Sequence, residues 1–239
     1  MMSNEPPTDE TSMPFVFPTA PAVAIPIRSG GLFPVRQIYC VGRNYAAHAR
    51  EMGGDPKGEP PFFFMKPAWS VLPSGAVLTY PPATADLQPE VELVVALGAG
   101  GQSIPEAEAS ACIFGYAVGL DMTRRDLQQV AKTHGRPWDF AKSFEGAAPI
   151  GTLTPVAACG QIASGPINLQ VNGALRQSGD LGQMIWTVPQ IIAALSRLVA
   201  LHPGDLVFTG TPAGVAPVVP GDRLEARIAG LEPLTVRIA

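Results

Sequence analysis

Three acids have the types and spacing to do chemistry together: Glu90 and Glu92 in PEVELVVAL, and Asp121 at the end of FGYAVGLD. Both runs are short and strongly apolar, the pattern of buried strands. Residues two apart on a strand point to one face, so Glu90 and Glu92 project side by side. Two ionised carboxylates on a buried sheet are costly unless a cation or a dense set of donors answers them. A hard divalent ion does so economically: three carboxylate oxygens plus waters suit Mg²⁺, with ligands at about 2.1 Å in octahedral geometry. The plainer alternative is two acids on a solvated strand face and a third capping a turn. A lone E-x-E favours that alternative, but Val91, Leu93, Val94, Val95 and Leu97 leave little room for a solvated face.

Other residues could complete such a site. In VGRNYAAHARE a strand ends at Val41, Gly42 turns, and a short helix places His48 and Glu51 at i and i+3, on one face. A carboxylate beside an imidazole orients its tautomer and raises its basicity, so the pair could take a proton from water; an exposed His–Glu pair on a surface helix is the alternative. Lys142, in DFAKSFE between Phe140, Ala141 and Phe144, could pair with the acids or hold an anionic substrate, or snorkel from a strand edge. Arg124, Arg125 and Gln128 follow Asp121 on a helix and could contact a substrate carboxylate or simply coat that helix. TGTPAG (209–214) follows an apolar strand; its glycines could bring backbone N–H groups and the Thr211 hydroxyl to an anion, or form an ordinary hairpin turn. It lacks the GxxxxGK[ST] pattern of a nucleotide-binding loop.

The elements that must position these residues are mostly strands. With 26 prolines and 25 glycines the chain turns often, and apolar runs between turns predict strands at 37–41, 76–79, 91–97, 113–120, 167–171, 206–209, 223–228 and 234–238. Helices are few. Ser103-Ile-Pro-Glu106 reads as a capping box opening a helix near 104–111. Thr123 to Thr133 reads as a helix with Asp126 in its first turn and Gly135 as its stop. Thr187-Val-Pro-Gln190 is a second capping box, opening the clearest amphipathic helix, with Ile191, Ile192, Leu195, Leu198 and Val199 on the apolar face. Many strands and few helices predict a β-rich α+β fold, a mixed sandwich or roll.

The 239 residues suit one large domain, and 46% hydrophobic residues can fill its core. Residues 1–13 read as a flexible tail, 14–36 as extended, proline-limited chain, and 37–239 as a single catalytic domain. The net charge of −4, with no basic run or stripe, excludes a nucleic-acid partner. Prolines at 14, 18, 21 and 26 break the only apolar stretch near the start, and no basic segment precedes it, so neither a membrane helix nor a secretion signal is expected. Cys40, Cys112 and Cys159 lie far apart, which fits a reduced, cytoplasmic protein with cysteines as small core residues.

Taken in order, YCVGRNYAAHAREMG (39–53), FFFMKP (62–67), PEVELVVALG (89–98), GYAVGLDMTRRDLQ (115–128), GRPWDFAKSFEGAAPIG (135–151), VNGALRQ (171–177) and FTGTPAGV (208–215) resemble the fumarylacetoacetate hydrolase family. Within it the chain looks most like the acylpyruvate hydrolases, especially fumarylpyruvate hydrolases of aromatic-acid breakdown. The resemblance implies a mixed β-sandwich roll, a homodimer, and Mg²⁺ or Mn²⁺ held at Glu90, Glu92 and Asp121. It places a water-activating dyad at His48 and Glu51, an active-site lysine at Lys142, and substrate contacts at Arg43, Arg125, Gln128 and Thr211. Pro89 departs from the family, where His or an aromatic often precedes the first metal Glu. The implied reaction is hydrolytic C–C cleavage of a 2,4-dioxo acid, giving fumarate and pyruvate from fumarylpyruvate. Two alternatives stay open: decarboxylation or isomerisation of a 2-oxo acid on the same metal site, and a metal-binding protein without turnover.

Overall fold

A computed structural model describes residues 15–51 and 60–239, the side chains of 49–51 aside. The expected tail, 1–13, therefore lies outside the described residues. In chain order the strands are β1 Ala24–Pro26, β2 Leu32–Pro34, β3 Gln37–Gly42, β4 Phe62–Lys66, β5 Val71–Pro73, β6 Val77–Leu78, β7 Leu87–Gln88, β8 Val91–Leu97 and β9 Ile113–Leu120. They continue with β10 Thr123–Arg124, β11 Ala148–Ile150, β12 Thr154–Pro155, β13 Pro166–Val171, β14 Ala174–Asp180, β15 Asp205–Phe208, β16 Arg223–Ile228 and β17 Leu234–Ile238. The helices are short: α1 Ala46–Glu51, α2 Glu106–Ala109, α3 Arg125–Thr133, α4 Asp139–Lys142, α5 Val156–Cys159 and α6 Val188–Leu198.

Two sheets carry the fold. The larger runs β4-β3-β15-β8-β9-β11-β5, with β12 also on β9; the smaller runs β14-β13-β16-β17-β6. The larger mixes parallel pairs (β15 with β3, β11 with β5) and antiparallel ones. This is the β-rich mixed roll that the strand count predicts.

Strand β8 shows how the core and the site share one sheet. Every residue in it is buried. Val91, Leu93, Val95 and Leu97 face one way, into the core shared with β13, β16, β17 and α6. Val94 and Ala96 face the other way, onto Ile38, Cys40, Ala117, Phe208 and the β1–β2 hairpin. Glu92 belongs to that second face by parity, and across the ladder it meets Gly119. A side chain at Gly119 would stand 2.4 Å from Val94 Cγ2 and 2.7 Å from Phe208, so the second face closes tightly just beside the acid.

Long-range contacts change two of the expected helices, and other readings shift with them. Ser103 does not cap α2: Pro105 stands at the cap, because the Ser103 N–H donates to Ser196 O and the Ile104 N–H to Ser196 Oγ on α6. Only the short α2 and one tighter turn follow. Thr123 is likewise not helical: it pairs with Gln88, and α3 starts at Arg125. Lys142 ends a helical turn, α4, and is not on a strand edge. Strand β4 lies outside the strands that the apolar runs predict. By contrast the Thr187–Gln190 capping box forms with both of its hydrogen bonds. No described helix is long and apolar enough to cross a membrane.

Candidate active site

The two acid-bearing strands end side by side. The Asp121 N–H donates to Glu90 O at 2.8 Å, where the start of β8 pairs antiparallel with the end of β9. Carboxylate oxygens of Glu90, Glu92 and Asp121 consequently lie within 4.8 Å of one another, and all three residues are buried. The plain reading of acids on a solvated face does not hold.

Protein cations answer two of the three. Lys142 Nζ donates to Glu90 Oε2 at 2.9 Å and to Asp121 Oδ2 at 2.6 Å. The Arg125 guanidinium hydrogen-bonds Glu90 Oε1, and its other nitrogens reach Gln88 Oε1 at 2.9 Å and Gln128 Oε1 at 2.6 Å. Burial opposes ionisation of Glu90, but Lys142, Arg125 and His48 outweigh it and hold the carboxyl below its ordinary range. Burial also opposes the Lys142 ammonium, and Asp121 and Glu90 outweigh that in turn, so Lys142 stays charged, above its ordinary value.

Glu92 is different. Its donor is the Gly210 N–H, 2.7 Å from Oε2. Burial, then the charges of Asp121 and Glu90, push this carboxyl well above its ordinary range. Asp121 Oδ1 has Lys66 Nζ at 2.8 Å as an ion pair, but no aligned hydrogen bond. The cluster thus lacks positive charge at Glu92 and keeps an unfilled oxygen on Asp121. A hard cation fits both, and oxygen-only donors are what Mg²⁺ or Mn²⁺ takes.

The surrounding loops serve this geometry. Gly210 has φ of +97°, and a Cβ there would stand 2.6 Å from Asn44 Cβ, so glycine is what lets its N–H reach Glu92. Buried Asn44 locks the neighbouring turn: it donates to Thr209 O and Trp186 O and accepts from the Trp186 N–H. Gln177 does the same for the next stretch, donating to Thr211 Oγ1 and Pro212 O and accepting from the Val91 N–H beside Glu90.

One cleft gathers Arg43, His48, Glu90, Glu92, Asp121, Arg125, Gln128, Lys142 and Thr211. Every expected site residue lines it but Glu51 and Arg124, whose guanidinium carbon instead lies 4.5 Å from the Phe144 ring centre. The Glu51 side chain lies outside the described residues, so only its place on α1 is given. Cys40 lies in the core beneath, its thiol pushed well up by burial, as a packing residue would be. Sequence reasoning missed Lys66, which is fully buried: besides its ion pair with Asp121 it donates hydrogen bonds to Met122 O at 3.2 Å and to Lys142 O, fixing α4 against the acids. Its signal was a lysine closing an otherwise apolar run, FFFMK. Gln88, Asn44 and Gln177 were also missed; Asn44 and Gln177 stand inside family-like motifs, where nothing local gives them a role.

Fold and cluster together are those of a known class. The family model described as fumarylacetoacetate (FAA) hydrolase C-terminal matches residues 37–239, and the chain belongs to this family. Fumarylpyruvate hydrolase from Pseudomonas aeruginosa, solved in complex with Mn²⁺ and pyruvate, is 50% identical with a TM-score of 0.93, covering 95% of this chain and 99% of that one. A fumarylpyruvate hydrolase of Ralstonia is 42% identical over 77% of this chain and 95% of its own length. The human mitochondrial oxaloacetate tautomerase FAHD1 is 41% identical over 85% of this chain and 91% of its own. The relatives thus include two activities, a hydrolase and a tautomerase.

Proposed function

We propose that the protein is a metal-dependent acylpyruvate hydrolase that cleaves fumarylpyruvate to fumarate and pyruvate. The observation that carries this reading is the arrangement in one cleft of a buried three-carboxylate cluster, a charged lysine and a histidine. Likeness to the Mn²⁺- and pyruvate-bound hydrolase supports it. Glu90, Glu92 and Asp121 would hold Mg²⁺ or Mn²⁺, which supplies Lewis acidity toward the 2-oxo acid end of the substrate.

The chain's own residues then divide the work. His48 Nδ1 or Nε2, on α1 in the cleft wall, takes a proton from water, with Glu51 as the residue that orients it. The hydroxide adds to C4. The C3–C4 bond breaks, its electron pair passes to C3, and the pyruvyl half leaves as an enolate. The Lys142 ammonium, kept charged by Glu90 and Asp121, faces that developing negative charge. The proton held by His48 returns to C3. One water is consumed, one carboxylic acid and one pyruvate are made.

Purified protein loaded with Mn²⁺ or Mg²⁺ and given a panel of acylpyruvates tests this. Loss of the diketone ultraviolet band with one pyruvate per substrate is the expected result. Exhaustive chelation should abolish it and added metal restore it. Interconversion of oxaloacetate tautomers, or its decarboxylation, with no acylpyruvate cleavage would favour the tautomerase or decarboxylase alternative on the same cluster.

A further inference from the structure

The cleft holds more positive charge than its acids use. Arg125 spends three of its five N–H groups on Glu90, Gln88 and Gln128. Two further cations face the same cleft. Arg43 follows β3 with φ of +60°, and its guanidinium carbon lies 5.9 Å from the Phe62 ring centre. Gly42 makes that stacking possible, since a Cβ there would fall 2.0 Å from the Phe62 ring. Lys132 stands on α3 one turn beyond Gln128, on the same side of the helix, and is half-buried in the cleft wall. Among the described residues no carboxylate pairs with either. Burial, then the neighbouring guanidiniums of Arg43 and Arg125, hold the Lys132 ammonium below its ordinary value. Cations gathered at a half-buried wall without an anion cost free energy that a bound anion recovers. Phe64 and Trp138 line the same cleft, with the Phe62 and Trp138 rings edge-on at 5.3 Å, so a flat unsaturated chain has an aromatic wall beside it.

We propose that Arg43 and Lys132 together anchor a carboxylate at the acyl end of the substrate, making the enzyme selective for dicarboxylic acylpyruvates. This rests on the acylpyruvate reading above. It joins Arg43, a substrate contact that the family resemblance implies, to a lysine that sequence reasoning did not single out. An arginine and a lysine suit a carboxylate in complementary ways: the guanidinium fork fixes its plane, and the ammonium adds a point charge.

The test compares fumarylpyruvate with crotonylpyruvate, in which a methyl group replaces the distal carboxylate. Lys132→Gln and Arg43→Gln should each lower kcat/KM for fumarylpyruvate about 10-fold further than for crotonylpyruvate, mostly through KM. Lys132→Arg should restore the preference. Equal losses on both substrates, or no loss on either, would overturn the anchor while leaving the hydrolase intact. Binding separates the two ideas if turnover fails altogether. Calorimetry on the Mn²⁺-loaded protein should show fumarate binding at least about 10-fold tighter than crotonate, and Lys132→Gln should erase that gap. A wild-type protein that binds the two acids equally would refute the anchor whatever the reaction proves to be.

Discussion

Glu92 and Asp121 sit in one cluster and should behave oppositely when neutralised. Glu92 is buried without a cation, and its ionised form is opposed by burial and by two neighbouring carboxylates. Glu92→Gln removes that cost and leaves the Gly210 N–H an acceptor, so the metal-free variant should melt no lower than wild type. Asp121 is the counter-ion of two buried lysines, Lys66 and Lys142. Asp121→Asn leaves Lys66 without its carboxylate and should cost about 3–5 kcal/mol of stability. Both variants should lose the rise in melting temperature that Mn²⁺ gives wild type. Thermal melts with and without metal check all of this. An Asp121→Asn variant as stable as wild type would mean that the buried lysines are not charged partners. At this scale the sequence was informative where chemistry and periodicity coincide. Two acids at i and i+2 in an apolar run leave few readings. Lys66 was not legible because its partners, Asp121, Met122 and the Lys142 carbonyl, lie more than fifty residues away.

Helix α3 carries Arg125, Gln128 and Lys132 into the cleft, and Asp126 ties it down. The Asp126 carboxylate accepts from Thr84 Oγ1 at 2.7 Å, from the Ala85 N–H at 2.9 Å and from the Leu127 N–H at 2.8 Å. Burial is the largest single influence and opposes the ionised form, but these donors together outweigh it and lower its pKa. A depressed carboxylate contributes stability above its ordinary pKa and loses it as pH falls through the folded value. Asp126→Asn should therefore cost about 1 kcal/mol near neutral pH, and the gap to wild type should close on acidification. Denaturant melts across that range read it directly. A gap constant in pH would assign the loss to shape and not to charge. Elements with local signals were legible: the capping box of α6 needs only Thr187 and Gln190. The box expected at Ser103 failed because Ser196, from a distant helix, takes the Ser103 N–H that the Glu106 side chain would have to reach. Thr123 left the helix for a bridge to Gln88 for the same reason. Local preference yields wherever a long-range partner offers better hydrogen bonds.

For the whole molecule, apolar runs between turns and the scarcity of helices indicated a mixed roll, while the order of strands in each sheet depended on contacts no local pattern contains. We propose that the homodimer the family resemblance implies forms over the apolar residues Met65, 57% exposed, Trp69, 55%, and Phe140, 83%, near the open edge strand β4. Light scattering should return twice the chain mass; a monomer at micromolar concentration would contradict this. In the proposed reaction, water is added across the C3–C4 bond of a dicarboxylic acylpyruvate. That addition is tested most directly by running the Mn²⁺-loaded enzyme on fumarylpyruvate in ¹⁸O-water and reading the products by mass spectrometry. One ¹⁸O in a fumarate carboxylate, with the pyruvate carboxylate unlabelled, is the predicted result. Intact fumarylpyruvate after prolonged incubation, or products whose carboxylates carry no label, would contradict it.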